Sequence, residues 1–178
     1  DISIVVGYKK EDIFECCKDE SVKFYENPKF AETGILESLY CALNEMNDSL
    51  IVLYGDIYIE EDSMKKIVAD GCDFGSAINE DSIFKNRKEQ IETYYGNEML
   101  KGQTKVSVKN GYIIDIGKNI MGQINGEAIG ISKFSKRGAE EILKRIEYLI
   151  SSGDIKKYPG FSNLFKHLII EGTKISPI

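Results

Sequence analysis

Short apolar runs alternate with amphipathic stretches through the first 79 residues, and that alternation constrains the fold more than any other feature. Ile2-Ser3-Ile4-Val5-Val6 is β-rich and too short for a helix, as in a strand buried on both faces. Residues 11–17 read as a short helix and residues 22–25 as a second strand. Residues 35–43 place apolar side chains three and four apart, the spacing of an amphipathic helix. A further apolar run, 49–54, stops at Gly55-Asp56. Residues 60–69 read as helix and 73–78 as strand. Strand and helix in strict succession specify crossover connections. The expected fold class is α/β, a three-layer Rossmann-like arrangement with a mostly parallel sheet and crossover helices.

The second half has a different grammar. Residues 79–102 are polar and broken, as in an excursion over the surface. Residues 105–108 and 112–115 flank Lys109-Asn110-Gly111, and Asn-Gly is the strongest short hairpin signal. Residues 127–132 read as a strand. Residues 135–150 form a long amphipathic helix with Ser135 as N-cap and Ser152-Gly153 closing it. Residues 162–170 read as a last helix and 173–178 as a strand. No repeat or low-complexity tract divides the chain. One domain over 1–178 is expected, with a first half 1–79 and a second half 80–178.

Charge and composition exclude several function classes. Lys and Arg number 23 and Asp and Glu 29, for a net charge of −6. That balance disfavours nucleic acid as a partner, since phosphates call for a basic face, and disfavours an anionic membrane surface. No apolar run approaches the ~20 residues of a membrane-spanning helix, and the first residues lack the marks of a signal peptide. A soluble, cytoplasmic protein is expected. Cys16, Cys17, Cys41 and Cys72 form no CxxC pair, and His167 is the one histidine, so no zinc site is indicated. Reduced, structural cysteines are expected, with Cys41 on an apolar helix face. GxGxxG, GxxxxGK[ST] and a serine elbow are all absent.

Open α/β sheets bind ligands beyond the carboxyl ends of their strands. Gly7-Tyr8-Lys9 follows the first strand, and Tyr54-Gly55-Asp56 follows the most apolar one. A carboxylate at such a place can hold Mg²⁺ together with phosphate oxygens, and Gly55 would admit a ligand close to the backbone. Gly-Asp is also an ordinary turn, and spacing alone does not separate the two. Lys118 can meet a phosphate as a point charge or stand as a solvated loop lysine. Glu127 opens a strand, and His167 fits an unliganded helix position.

Together these pieces resemble a known family. Ile4-Val5-Val6-Gly7-Tyr8-Lys9 resembles the second strand and turn of nucleotidyltransferases that activate small phosphorylated compounds. Glu26-Asn27-Pro28 and the stretch from Glu32-Thr33-Gly34 to Ser38-Leu39-Tyr40 are similar to the segment entering the helix beside the nucleotide. Leu50 to Asp56 is similar to the strand ending in a metal-binding aspartate. Asp115-Ile116-Gly117-Lys118 and Gly126-Glu127-Ala128-Ile129-Gly130-Ile131-Ser132-Lys133-Phe134-Ser135 resemble the acceptor half. The pattern is most similar to choline-phosphate cytidylyltransferases and to the nucleotidyltransferases that load 2-aminoethylphosphonate. The Gly-Thr-Ala-Gly-Ala pattern of hexose-1-phosphate enzymes is absent. The family also has a Gly-rich loop with a following catalytic lysine, and a second metal aspartate, outside the stretch that matches here. By that resemblance the sequence reads as the middle of such an enzyme, truncated at both ends.

The resemblance implies transfer of a nucleotidyl group, CMP from CTP, to a phosphate or phosphonate oxygen with release of pyrophosphate. Such an acceptor is already ionised at neutral pH, so alignment and charge neutralisation by Mg²⁺ carry the reaction without a strong general base. It implies Asp56 as metal ligand and Thr33, Gly34, Ser38 and Gly55 beside the nucleotide. Lys118 is then the catalytic candidate on the acceptor side, with Glu127 and Tyr8 as substrate-binding candidates. Phosphocholine or 2-aminoethylphosphonate is the expected acceptor, and Tyr8, Tyr54, Tyr94 and Tyr95 offer aromatic faces to a cationic head. Self-association into a homo-oligomer is left open. The alternatives are a hexose-1-phosphate nucleotidyltransferase and a non-catalytic nucleotide-binding domain. A glycosyltransferase ranks last, because Asp56-Ile57-Tyr58 lacks the Asp-x-Asp pair.

Overall fold

The structure is a computed structural model that describes residues 1–80, 102–120 and 122–178. The expected excursion over 79–102, and with it Tyr94 and Tyr95, falls almost wholly outside those residues. Among the described residues, eight strands and five α-helices follow in the order β1 (Ile2–Val6), α1 (Lys10–Cys16), β2 (Val22–Glu26), α2 (Ile35–Cys41), β3 (Leu50–Leu53), α3 (Glu61–Ala69), β4 (Phe74–Asn79), β5 (Lys105–Lys109), β6 (Tyr112–Gly117), β7 (Gly126–Phe134), α4 (Lys136–Ser151), α5 (Phe161–Ile170) and β8 (Ser176–Pro177).

β1 and β2 pair in parallel as a separate ribbon. The other six strands form one mixed sheet in which β7 is the hub. β4 runs along β7 from Phe134 to Glu127 on one edge, while on the other β3 covers its C-terminal part and β5 its N-terminal end, all antiparallel to it. β6 adds to β5, again antiparallel, and β8 adds to β4 in parallel. Strands β3, β4, β5 and β8 therefore run one way and β6 and β7 the other. The α/β layering with a central sheet matches the expected class. Its ladders are more antiparallel than the alternation in the first half implied, because β7, from the second half, stands between β3 and β4. Only Val6 of β1 is buried, since β1 has β2 on one edge and no strand on the other among the described residues.

One face of the sheet carries the main core. Phe134 packs against Phe161 and Phe165, with Ile142, Ile146, Leu164 and Leu168 fully buried around them. The same cluster takes Leu36 and Met46 from the first half of the chain, so the two halves share one core. The other face packs Ile67 of α3 against Ala77 and Ile131. Alternation along β7 sets this division: Ala128, Ser132 and Phe134 face α4 and α5, while Ile129, Ile131 and Lys133 face α3.

Local chemistry accounts for the junctions. Asn110 and Gly111 both have positive φ, 54° and 79°, as the tight β5–β6 turn requires. Ser135 caps α4 by accepting from the Gly138 N–H at 3.2 Å. Gly138 is obligatory, because a Cβ there would lie 2.0 Å from the Asp73 carbonyl oxygen. The buried Lys133 ammonium donates to the carbonyls of Ile67, Val68 and Asp70, satisfying the C-terminal end of α3. All four cysteines are free thiols, with Cys16 exposed and Cys17, Cys41 and Cys72 partly buried. His167 Nε2 lies 3.0 Å from the carboxylate of Glu171, the C-cap residue of its helix. Among the described residues no helix is long and apolar enough to cross a membrane.

Candidate functional site

The edge of β7 changes partner midway. β3 covers residues 131–134, and its contact ends where the Tyr54 N–H donates to the Gly130 carbonyl at 3.2 Å. Two residues further toward the start of β7, the Ala128 N–H donates to the Thr104 carbonyl at 2.8 Å, and from there the edge belongs to β5. On the opposite edge the register shifts at the same place. Ser76 faces Ser132 and Ile78 faces Ala128, so one residue of β4 opposes three of β7. A bulge and a change of neighbour thus coincide at Ile129-Gly130-Ile131. Bulges concentrate beside active sites because they re-aim side chains and open the sheet, and a change in strand order is where open α/β sheets take ligands.

Asp56 stands at this point. It is exposed, in the turn that follows β3, closed by the Ile57 N–H donating to the Tyr54 carbonyl at 3.3 Å. Tyr54 anchors the turn from below, with its ring in the main core. Burial pushes its phenol above the usual tyrosine range; the Phe161 backbone N–H acts in the opposite direction and the Asp56 charge adds to the rise.

The nucleotide-side candidates form a network of their own around Asn27, which is buried. The Asn27 side-chain amide donates to Thr33 Oγ1 at 2.8 Å and to Ser38 Oγ at 3.0 Å, and its carbonyl accepts from the Lys29 N–H at 3.0 Å. Thr33 and Ser38 in turn donate to the carbonyls of Lys29 and Gly34. Both hydroxyl protons are therefore spent inside the turn. The Gly34 N–H is held by Glu37 at 2.8 Å. Sequence reasoning had Asn27 only as part of a matching segment; its role as hub follows from burial, which spacing does not reveal.

A second loop joins the two clusters. The Ile35 N–H donates to the Pro159 carbonyl at 3.2 Å, and a Cβ on Gly34 would sit 3.0 Å from that oxygen. The next residue, Gly160, is the N-cap of α5 and lies 3.6 Å from both Tyr54 Oη and Ile35 Cδ1, measured from its Cβ position. The structure thus brings Thr33, Gly34 and Ser38 to the same end of the molecule as Tyr54, Gly55 and Asp56. Pro159-Gly160 was overlooked in the sequence, although a Pro-Gly pair before an apolar helix is a turn signal.

The acceptor-side candidates are more dispersed. Gly117, Lys105 and Glu127 lie on one row across β6, β5 and β7. Lys118, exposed and one residue past Gly117, is therefore at the same end of the sheet as Glu127, about 10 Å away across two strand spacings. Glu127 is half-buried, and that burial holds its carboxyl above the usual range. By alternation it shares the α3 face with Ile129. Tyr8 stands apart, 72% exposed beyond β1 with its ring 6.2 Å from Phe30. The structure does not bring Tyr8 and Glu127 onto one sheet.

No protein-family model matches the chain. The bifunctional protein GlmU of Methanocaldococcus jannaschii is 26% identical over 175 residues, 91% of this chain and 39% of that protein. Its namesake from Caldicellulosiruptor saccharolyticus is 36% identical over 70 residues, 37% of this chain and 15% of that protein. Among solved structures, the inositol-1-phosphate CTP transferase from T. maritima superposes with a TM-score of 0.69 at 16% identity, over 98% of this chain and 64% of that one. The CTP:phosphocholine cytidylyltransferase from Streptococcus pneumoniae gives 0.60 at 20% identity, over 100% of this chain and 68% of that one. The fold is the nucleotidyltransferase fold. The chain spans well under half the length of these curated relatives, and the structural likeness carries the fold alone.

Proposed function

We propose that this chain is a single nucleotidyltransferase-like domain that transfers a nucleotidyl group, CMP from CTP, to a small phosphorylated or phosphonate acceptor and releases pyrophosphate. The observation that carries the reading is the coincidence at Gly130: the strand ending in Asp56 leaves β7 where the bulge opens the sheet. The relatives' names, which include two CTP-dependent transferases, and the motif order in the sequence support it. Phosphocholine and 2-aminoethylphosphonate are the acceptors that the sequence resemblance favours.

Among the described residues no three His, Cys, Asp or Glu side chains converge on a metal position. Mg²⁺ commonly takes one or two carboxylates, with water and phosphate oxygens completing its shell, so Asp56 fits the share of a single carboxylate. Bound there, Mg²⁺ would neutralise charge developing on the phosphates. The chain's own contribution is positional. The Tyr54–Gly130 contact fixes the Asp56 turn, the Asn27 network fixes the Thr33–Ser38 turn, and Pro159-Gly160 sets the distance between them. Gly55, with nothing within 4 Å of its Cβ position, leaves room for a close approach. Lys118 offers a point charge to the acceptor phosphate.

The test is pyrophosphate release by the full-length protein, with whatever sequence flanks residues 1–178, from CTP, Mg²⁺ and a panel of small phosphorylated acceptors. Release that needs Mg²⁺ and falls on the order of a hundredfold in Asp56→Asn is expected, the loss when several kcal/mol of charge stabilisation disappears. Nucleotide binding without release from any combination would leave the non-catalytic domain as the better account.

A further inference from the structure

Residues 1–26 stand outside both apolar cores. Neither cluster contains a residue from that stretch, and Val6 is its one buried side chain. The stretch comprises the β1–β2 ribbon and α1, which folds onto β2 with the rings of Phe14 and Phe24 edge to face at 4.8 Å. The ribbon's ladder runs between its own two strands. A two-stranded sheet has little stability by itself, so what ties this unit to the remainder of the chain decides whether it stays ordered.

That tie is one side chain. Among the described residues, every hydrogen bond and ion pair from residues 1–26 to residues 28–178 ends on the Glu45 carboxylate. Glu45 closes the single 3₁₀ turn Leu43–Glu45 between α2 and β3. Tyr25 Oη donates to it at 2.5 Å and Lys23 Nζ at 3.2 Å, both from β2. Tyr25 and Lys23, with the Ser3 hydroxyl of β1 adding to them, hold the carboxyl below the usual carboxylate range, so it is charged at neutral pH. Where the ribbon ends, the chain passes into the Asn27 turn. There the Asn27 N–H donates to the Val6 carbonyl at 2.8 Å, and the Tyr8 ring meets Phe30. The Asn27 side chain is bonded forward to Thr33 and Ser38, so it belongs to the body rather than to the ribbon.

We infer that residues 1–26 form a flap, hinged at Asn27 and latched by the Glu45 carboxylate, which opens as a unit while the six-stranded sheet stays folded. Opening costs the latch and the few contacts around Val6 rather than a core, the condition for a low-energy local transition. It carries Tyr8 and Lys9 away from the turn that holds Thr33 and Ser38. The flap stands independently of the nucleotidyl-transfer reading; only the consequence for a nucleotide bound at that turn rests on it.

Amide hydrogen exchange of the full-length protein tests this without nucleotide, in wild type, Glu45→Ala, Glu45→Gln and Asn44→Ala, the last an exposed neighbour. Glu45→Ala is expected to speed exchange across residues 2–6 and 22–26 about tenfold, the order of a charge-assisted hydrogen bond discounted for exposure. Glu45→Gln keeps an acceptor for Tyr25 and loses the charge, so a smaller rise is expected. Asn44→Ala should match wild type. Rates in residues 27–38 and in the six-stranded sheet are expected to stay at their wild-type values in all four proteins. Wild-type rates in residues 1–26 of Glu45→Ala overturn the latch, because something other than that carboxylate then holds the ribbon. A rise that runs on through residues 27–38 or into the six-stranded sheet overturns the hinge and makes Glu45 an ordinary stabilising residue.

Discussion

The ring of Tyr54 lies against Gly130, so closely that a Cβ built on the glycine would come 2.8 Å from Tyr54 Cδ2. Gly130 also has a φ of +76°, a region that L side chains enter at a cost of about 1–2 kcal/mol. Steric room and backbone conformation therefore demand glycine independently. What they protect is the seam where β3 leaves β7 and the Asp56 turn begins.

Gly130→Ala is accordingly expected to destabilise the protein by at least about 1–2 kcal/mol, and to weaken metal-dependent nucleotide binding by displacing the Asp56 turn. Chemical denaturation followed by nucleotide titration checks both. A variant as stable as wild type would mean that the bulge is not held in this conformation.

Asn27→Ala removes the amide that holds Thr33 Oγ1 and Ser38 Oγ. It also strands the Lys29 N–H. A loss of about 1–3 kcal/mol is expected for leaving such groups unpaired, with faster amide exchange confined to residues 27–38. Wild-type stability and exchange in this variant would show that the turn is held by something else.

Most elements were legible in the sequence because their signals are local. The strand at 2–6, the amphipathic helix beginning at Ile35, the Asn110-Gly111 hairpin and the Ser135 cap each follow from a few adjacent residues, and the structure has all of them. The sheet's pairing was not legible in the same way. Nothing near Leu50 or Phe74 announces that β7, from the second half, will stand between them. The final strand is regular only over Ser176–Pro177 rather than 173–178, because Ile175 bridges Ile113 of β6 while Ile178 bonds Ser76 and Ile78 of β4, a split between two neighbours that an apolar pattern does not reveal. At the candidate site, Tyr54-Gly55-Asp56 stood out as a strand end, and Gly130 only as part of a matching block. The Asn27 hub carries no sequence signal, since burial of a polar side chain is a property of what packs around it.

Glu127 gives a pH-dependent prediction. Burial raises its folded-state pKa above the unfolded value, so the unfolded chain ionises first as pH rises. Stability is full below the unfolded pKa and falls as pH climbs through the interval up to the folded one. Glu127→Gln should therefore be more stable than wild type at neutral pH and equal to it well below the carboxylate range. Urea denaturation at both pH values measures this. A difference that persists in acid would assign the effect to packing rather than to charge.

The most direct test of the central claim is the binding of CTP with Mn²⁺ in place of Mg²⁺, followed by the relaxation of water protons in wild type and Asp56→Asn. It needs no turnover, only a nucleotide and a metal meeting at the end of β3. The account predicts a ternary complex in wild type whose relaxation enhancement is lost in Asp56→Asn, with thermal stability unchanged because Asp56 is exposed. Equal enhancement in the two proteins would place the metal elsewhere and contradict the assignment of the seam between β3 and β7 as the nucleotide–metal site.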